Sequence, residues 1–152
     1  MFGPPGGLLK IQGRQEMTSK IFYKSGYKYQ LQADYSILSG ITGYNAGNAF
    51  CHLFPDGQLD IHAGYAWDGP SSIAIDTPSF MRGSLVHDAL YQLIREVYLP
   101  YEWREKVDGL LYEICREDGM NWWRAKSVLA TVRLFGKTSA DPAHTKPILE
   151  AP

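Results

Sequence analysis

The chain has 152 residues, 45% hydrophobic and 20% charged, with a formal net charge of -1, the make-up of one globular domain around a single core. That balance excludes a global field drawing the protein to nucleic acid or anionic lipid, and no apolar run reaches the roughly 18 residues a membrane span needs. Cys51 and Cys115 are the only cysteines, so one disulfide could form but a disulfide-stapled secreted scaffold could not.

Residues 1–19 read as an arm, Gly- and Pro-rich and then polar, lacking the basic and apolar regions of a secretory signal. Met17 could equally begin the folded part, and the chain is expected to fold in a cytoplasm. From Ile21 to about Leu38, Tyr, Phe and Ile in partial alternation predict two strands broken at Ser25-Gly26. "SGITGYNAGN" reads as loop. "AFCHLFPDGQLDIHAGY" predicts a hairpin around Pro55-Asp56-Gly57. "AWDGPSSIAIDTPS" then predicts a long connection, of a length that is often functional.

The second half predicts three helices. Ser79 is expected to cap the first, running to about Val97 with Val86, Leu90, Leu93 and Val97 apolar. Pro100 interrupts the ladder, and a second helix spans Glu102 to Glu117 before Asp118-Gly119 stops it. Asn121 caps a third through about Phe135, and residues 137–152 read as an extended tail. The expected architecture is α+β: a small antiparallel sheet or hairpin in the N-terminal half, then three α-helices, in one domain over residues 20–136.

"LVHDALYQLI" places His87 and Asp88 side by side in an apolar run. Helical neighbours point about 100° apart, so the two serve different partners, while Tyr91 shares the histidine's face. If the first two helices pack antiparallel, Asp108 can face His87, fixing one imidazole nitrogen and leaving the other to take a proton from water. Asp88 needs separate compensation, and Asp68 with the carbonyls of residues 67–70 offers hard oxygens suited to calcium. Zinc lacks its usual ligand spacing, His52 and His62 included. Asp76, before Thr77-Pro78, is expected to organise the helix start. The bland alternative is a hydrogen-bonded network joining loop to helix.

Two surface groups complete the reading. Tyr98, Tyr101, Trp103, Trp122 and Trp123 flank helix ends and suit core-edge packing or a protein contact, with an interfacial rim against lipid as the alternative. Arg82, Arg95, Arg104, Arg116, Arg124 and Arg133 read as solvated faces with some helix-end pairing, and Lys24 and Lys28 as a solvated strand edge.

"WDGPSS … HDALY … VD" resembles the core of the calcium-dependent phospholipases of the A2 type, above all their small prokaryotic branch, over roughly residues 65–115. The resemblance implies that His87 is the general base, Asp108 its orienting partner, and Tyr91 a third member. It implies that Asp88 and the Asp68 loop hold calcium, which polarises the ester carbonyl of a phospholipid. This chain departs from that pattern in having Val86 before the histidine and fewer glycines in the loop. "YKSGYKYQL", "GYAWDGPSS", "FMRGSLVHDALYQLIRE" and "VRLFG" resemble an uncharacterised family of phage and prophage proteins across most of the chain.

Together the two imply a phage-encoded phospholipase A2-like hydrolase in the host cytoplasm, with incorporation into the virion as a further expectation. The alternative is a non-catalytic virion or tail accessory protein that keeps the scaffold to bind other phage structural proteins. A small binder of a host protein is a third. None implies nucleic acid as a partner.

Overall fold

The computed structural model describes residues 20–24, 29–68 and 77–144. Strands β1 (Tyr23–Lys24), β2 (Tyr29–Leu31), β3 (Tyr35–Leu38), β4 (Ala46–Gly47), β5 (Cys51–Leu53), β6 (Gln58–Ile61) and β7 (Ala66–Trp67) precede helices α1 (Pro78–Arg95), α2 (Arg104–Glu117) and α3 (Trp122–Ala140). The architecture is α+β, with antiparallel strands first and three helices after them.

The hairpin forms where its turn residues place it. Gly57 takes φ +91, which an L side chain resists, and the Asp56 carboxylate accepts from the Gln58 N–H at 3.0 Å. β5 and β6 pair antiparallel with Cys51 opposite Ile61 and Leu53 opposite Leu59, all four buried. β3 adds beyond β6 and β4 beyond β5, giving a four-stranded sheet in the order β3-β6-β5-β4.

The two strands expected over residues 21–38 are instead three, in two sheets. β1 and β2 pair on either side of residues 25–28, β7 joins β2, and β3 leaves for the larger sheet. The change of sheet is fixed from a distance: the Leu31 N–H donates to the Tyr65 carbonyl, and Asp34 accepts from the Ala63 N–H at 2.8 Å. No Gly or Pro marks this break, so alternation reads straight through it.

Helix ends differ from expectation for local reasons. Thr77, not Ser79, is the N-cap of α1, because Pro78 occupies the first helical position, where its missing N–H and fixed φ suit it. α1 stops at Arg95 rather than Val97. The Tyr98 N–H closes back on the Leu93 carbonyl and the Val97 N–H on Ile94, leaving Val97 at φ +66 where glycine is usual. Asp118-Gly119 ends α2 by the same closure, with Gly119 at φ +94 and Met120 N–H donating to Cys115. α2 begins at Arg104 after a 3-10 turn over Tyr101–Trp103. Asn121 caps α3 as expected, its side chain accepting from the Arg124 N–H at 2.9 Å.

α3 then continues to Ala140, past the expected end near Phe135 and the domain boundary at 136. Tertiary contact supports the extra turns: Gly136 packs so closely on α1 that a Cβ there would sit 2.5 Å from the Tyr91 hydroxyl. The expected extended tail is therefore helix and a short 3-10 turn through His144. The arm (residues 1–19), Lys28, Asp76 and residues 145–152 lie outside the described residues, as does the Lys24 side chain.

One core cluster joins both sheets to the helices, including Tyr35, Leu59, Trp67, Leu90, Val107 and Ile114; a smaller one around Phe80, Leu111, Cys115 and Val128 seals α1, α2 and α3. Cys51 and Cys115 lie in different clusters as free buried thiols, each pushed up to about 12 by burial, so the disulfide is absent. α1 and α2 run antiparallel and nearly touch: a Cβ on Gly83 would meet Leu111 Cδ1 at 2.9 Å and Cys115 Sγ at 3.0 Å. That approach sets His87 opposite Asp108. Among the described residues no helix is long and apolar enough to cross a membrane.

Candidate active site

Asp108 is fully buried on α2 and carries the centre of the site. Its Oδ1 accepts from His87 Nε2 at 2.8 Å and from the Tyr91 hydroxyl at 2.5 Å. One turn of α1 separates His87 from Tyr91, and their rings stack at 4.0 Å between centroids. Oδ2 faces the Arg104 guanidinium at 3.4 Å, and Arg104 also reaches the Arg133 carbonyl of α3 at 3.5 Å. Side chains of α1 and α2 therefore converge on one carboxylate, and α3 is joined to them through Arg104. Every buried side-chain polar atom among the described residues has a partner.

With Nε2 committed to Asp108, His87 turns Nδ1 toward Asp88, 3.8 Å from its Oδ1. That distance is too long for a direct hydrogen bond but within ion-pair range once the imidazole is protonated. Desolvation is the largest single influence on His87 and pulls its pKa down, but Asp108 and Asp88 together outweigh it and raise the value. Asp88 is also raised, first by desolvation and further by the charge of Asp68, against the opposing pull of His87. About a third of its side chain still reaches solvent.

Both shifts have the same sign in a stability profile. A group whose folded pKa exceeds its unfolded one stabilises fully below the unfolded value and loses that contribution as pH rises through the folded one. Stability is therefore expected to fall with rising pH from about 3.9 upward for the Asp88 contribution and from about 6.5 upward for the His87 contribution, the unperturbed values of the two side chains. Urea denaturation across pH tests it: His87→Gln and Asp88→Asn should each flatten the slope, and an unchanged slope in both would refute the assignment.

The structure thus brings His87, Tyr91 and Asp108 into contact and places Asp88 beside them. Asp68 is exposed and within electrostatic reach of Asp88, while Gly69 and Pro70, two of the four residues whose carbonyls were expected as ligands, lie outside the described residues. Among the described residues no group of three or more His, Cys, Asp or Glu is placed to hold a metal ion. His52 bonds Asn45 and His62 lies near Asp34, both away from the dyad.

Two arginines expected on solvated faces are buried instead, Arg104 beside Asp108 and Arg82 against Asp118, because each carries a carboxylate into the core with it. Arg104 is the site residue that the sequence reading missed. Its i,i+4 spacing to Asp108 was the available signal. Trp103 is no rim residue either, since its half-buried indole donates its N–H at 2.7 Å to the hydroxyl of Tyr44, in the loop between β3 and β4.

Comparison with known proteins found no matching family model, no matching curated protein and no matching solved structure.

Proposed function

We propose that the protein is a phospholipase A2-like hydrolase in which His87 activates water against a phospholipid ester. The observation that carries this reading is the division of labour on one imidazole: Nε2 is held by a fully buried carboxylate while Nδ1 faces a second, partly solvated one. In that arrangement Nδ1 takes the proton as water oxygen bonds to the ester carbonyl carbon. The same proton then passes to the departing alkoxide as the ester C–O bond breaks. Asp108 steadies the transient imidazolium, Tyr91 locks the carboxylate rotamer, and Arg104 balances its second oxygen.

Asp88 and Asp68 are the residues that would hold calcium. Two carboxylates fit a hard cation, and the charge of Asp68 acting on Asp88 is of the sign that a cation would neutralise. Calcium, when bound, supplies positive charge for the carbonyl oxygen. A phage origin, with action in the host cytoplasm or in the virion, belongs to the same proposal and rests on the sequence resemblance.

Fatty-acid release from phosphatidylcholine vesicles is expected with calcium, absent with chelator, and lost in His87→Ala. Calcium should also raise Tm, by the equivalent of roughly 2.7 kcal/mol at a hundred times Kd, and Asp88→Lys should abolish that rise. Turnover that persists in His87→Ala refutes the mechanism.

The complete satisfaction of the buried polar network favours a second reading, a virion or tail accessory protein that uses the network only to specify its core. It predicts neither turnover nor a calcium response, with the chain present in purified particles.

A further inference from the structure

We infer that the outward face of α3 is a docking surface for anionic lipid bilayers. Trp123 is 77% exposed and Leu134 73%, although both sit on a well-formed helix. Eleven residues apart, they fall on the same side at about 16 Å separation along the axis. Ser127 and Ala130 lie between them on that side, also exposed. The polarity of the intervening hydroxyls is turned inward: Ser127 donates to the Trp123 carbonyl at 2.9 Å and Thr131 to the Ser127 carbonyl at 2.8 Å. The face thus presents an indole, small side chains and a leucine, with little unsatisfied hydrogen-bonding capacity.

Charge says what covers it. The helix Trp122–Ala140 contains Arg124, Lys126, Arg133 and Lys137 and no acidic residue, within a chain whose net charge is -1. Lys126, Arg133 and Lys137 are exposed along one flank of the apolar strip. Lys126 lies over the Tyr112 ring at 5.0 Å and the Trp122 ring at 5.8 Å, so its stem follows the surface while its ammonium stays at the edge. An apolar strip bordered by cations is the pattern of a helix lying in a headgroup region, and it favours anionic lipid over neutral lipid. The opposite side of α3 packs against Tyr91 through Gly136, so this docking surface and the candidate active site share a helix.

The inference does not rest on the hydrolase reading, and its test measures binding rather than turnover. Full-length protein in chelator is mixed with phosphatidylglycerol-containing vesicles or with pure phosphatidylcholine vesicles, followed by flotation and tryptophan emission. Binding to the anionic vesicles with a blue shift is expected, weakened about tenfold or more in Trp123→Ser/Leu134→Ser. Lys126→Glu/Lys137→Glu should lose the preference for anionic lipid. Both pairs are exposed, and an unchanged Tm confirms that the variants remain folded. Absence of binding by the parent chain overturns the inference, as does binding that survives Trp123→Ser/Leu134→Ser. Self-association of the parent chain that this variant removes also overturns it, by assigning the face to a second copy. Binding that is followed by no fatty-acid release once calcium replaces the chelator would sink the hydrolase reading alone.

Discussion

Asp108→Ala is expected to lower stability by about 3–5 kcal/mol, a fall in Tm of roughly 6–20 °C for a domain of this size. The reason lies in what the change leaves behind. His87, Tyr91 and Arg104 all converge on the one carboxylate, which is fully buried. Without it a guanidinium and a phenol remain in the core with donors that water cannot reach. Asp108→Asn separates the structural from the chemical part. Its carbonyl oxygen can still accept from His87 and Tyr91, but its amide then faces Arg104 with like polarity and no longer steadies an imidazolium. Its Tm loss should be smaller than that of alanine, while calcium-dependent hydrolysis falls by roughly 10²–10⁴-fold. Thermal unfolding and vesicle hydrolysis on the two variants check both halves. A Tm within 2 °C of the parent for Asp108→Ala, allowing about 2–4 °C per kcal/mol, would show that the network does not hold the helices together.

How much of this was legible follows from the range of each interaction. His87, Tyr91 and Asp108 could be grouped because helical periodicity links the first two and a short antiparallel connection brings round the third. Arg104 was equally accessible through its four-residue spacing to Asp108, but a lone arginine on a helix reads as solvated unless the depth of its partner is known. The hairpin announced itself through Pro55-Asp56-Gly57. The division into two sheets did not, because it depends on residues 63–65 bonding back to residues 31–34, which no local pattern encodes. Helix stops were readable where glycine marks them, as at Gly119. They were not where Val97 adopts the same backbone state against its preference.

Arg82→Met should be the second large loss, about 3–5 kcal/mol, although nothing near residue 82 in the sequence signals it. The guanidinium binds Asp118 in two-pronged fashion, Nε to Oδ2 at 3.0 Å and Nη2 to Oδ1 at 2.8 Å, while Nη1 donates to the Tyr35 hydroxyl at 3.1 Å. One side chain on α1 thus ties the C-cap of α2 to a strand of the larger sheet. Glu117 also contacts Nη2, but its side chain is 66% exposed, so Glu117→Gln should cost under about 1 kcal/mol. Arg82→Lys should fall between the two, because an ammonium cannot reproduce the planar fork. Since Arg82 and Asp118 act as one unit, a double-mutant cycle with Arg82→Met and Asp118→Asn should return a coupling above about 1 kcal/mol. Asp118 gains its depth only by carrying this cation with it, so Arg82→Met should be markedly worse than the loss of both charges together. Urea unfolding of the four proteins decides it, and strictly additive losses would mean that the pair is an exposed ornament of the helix end rather than the clasp between sheet and bundle.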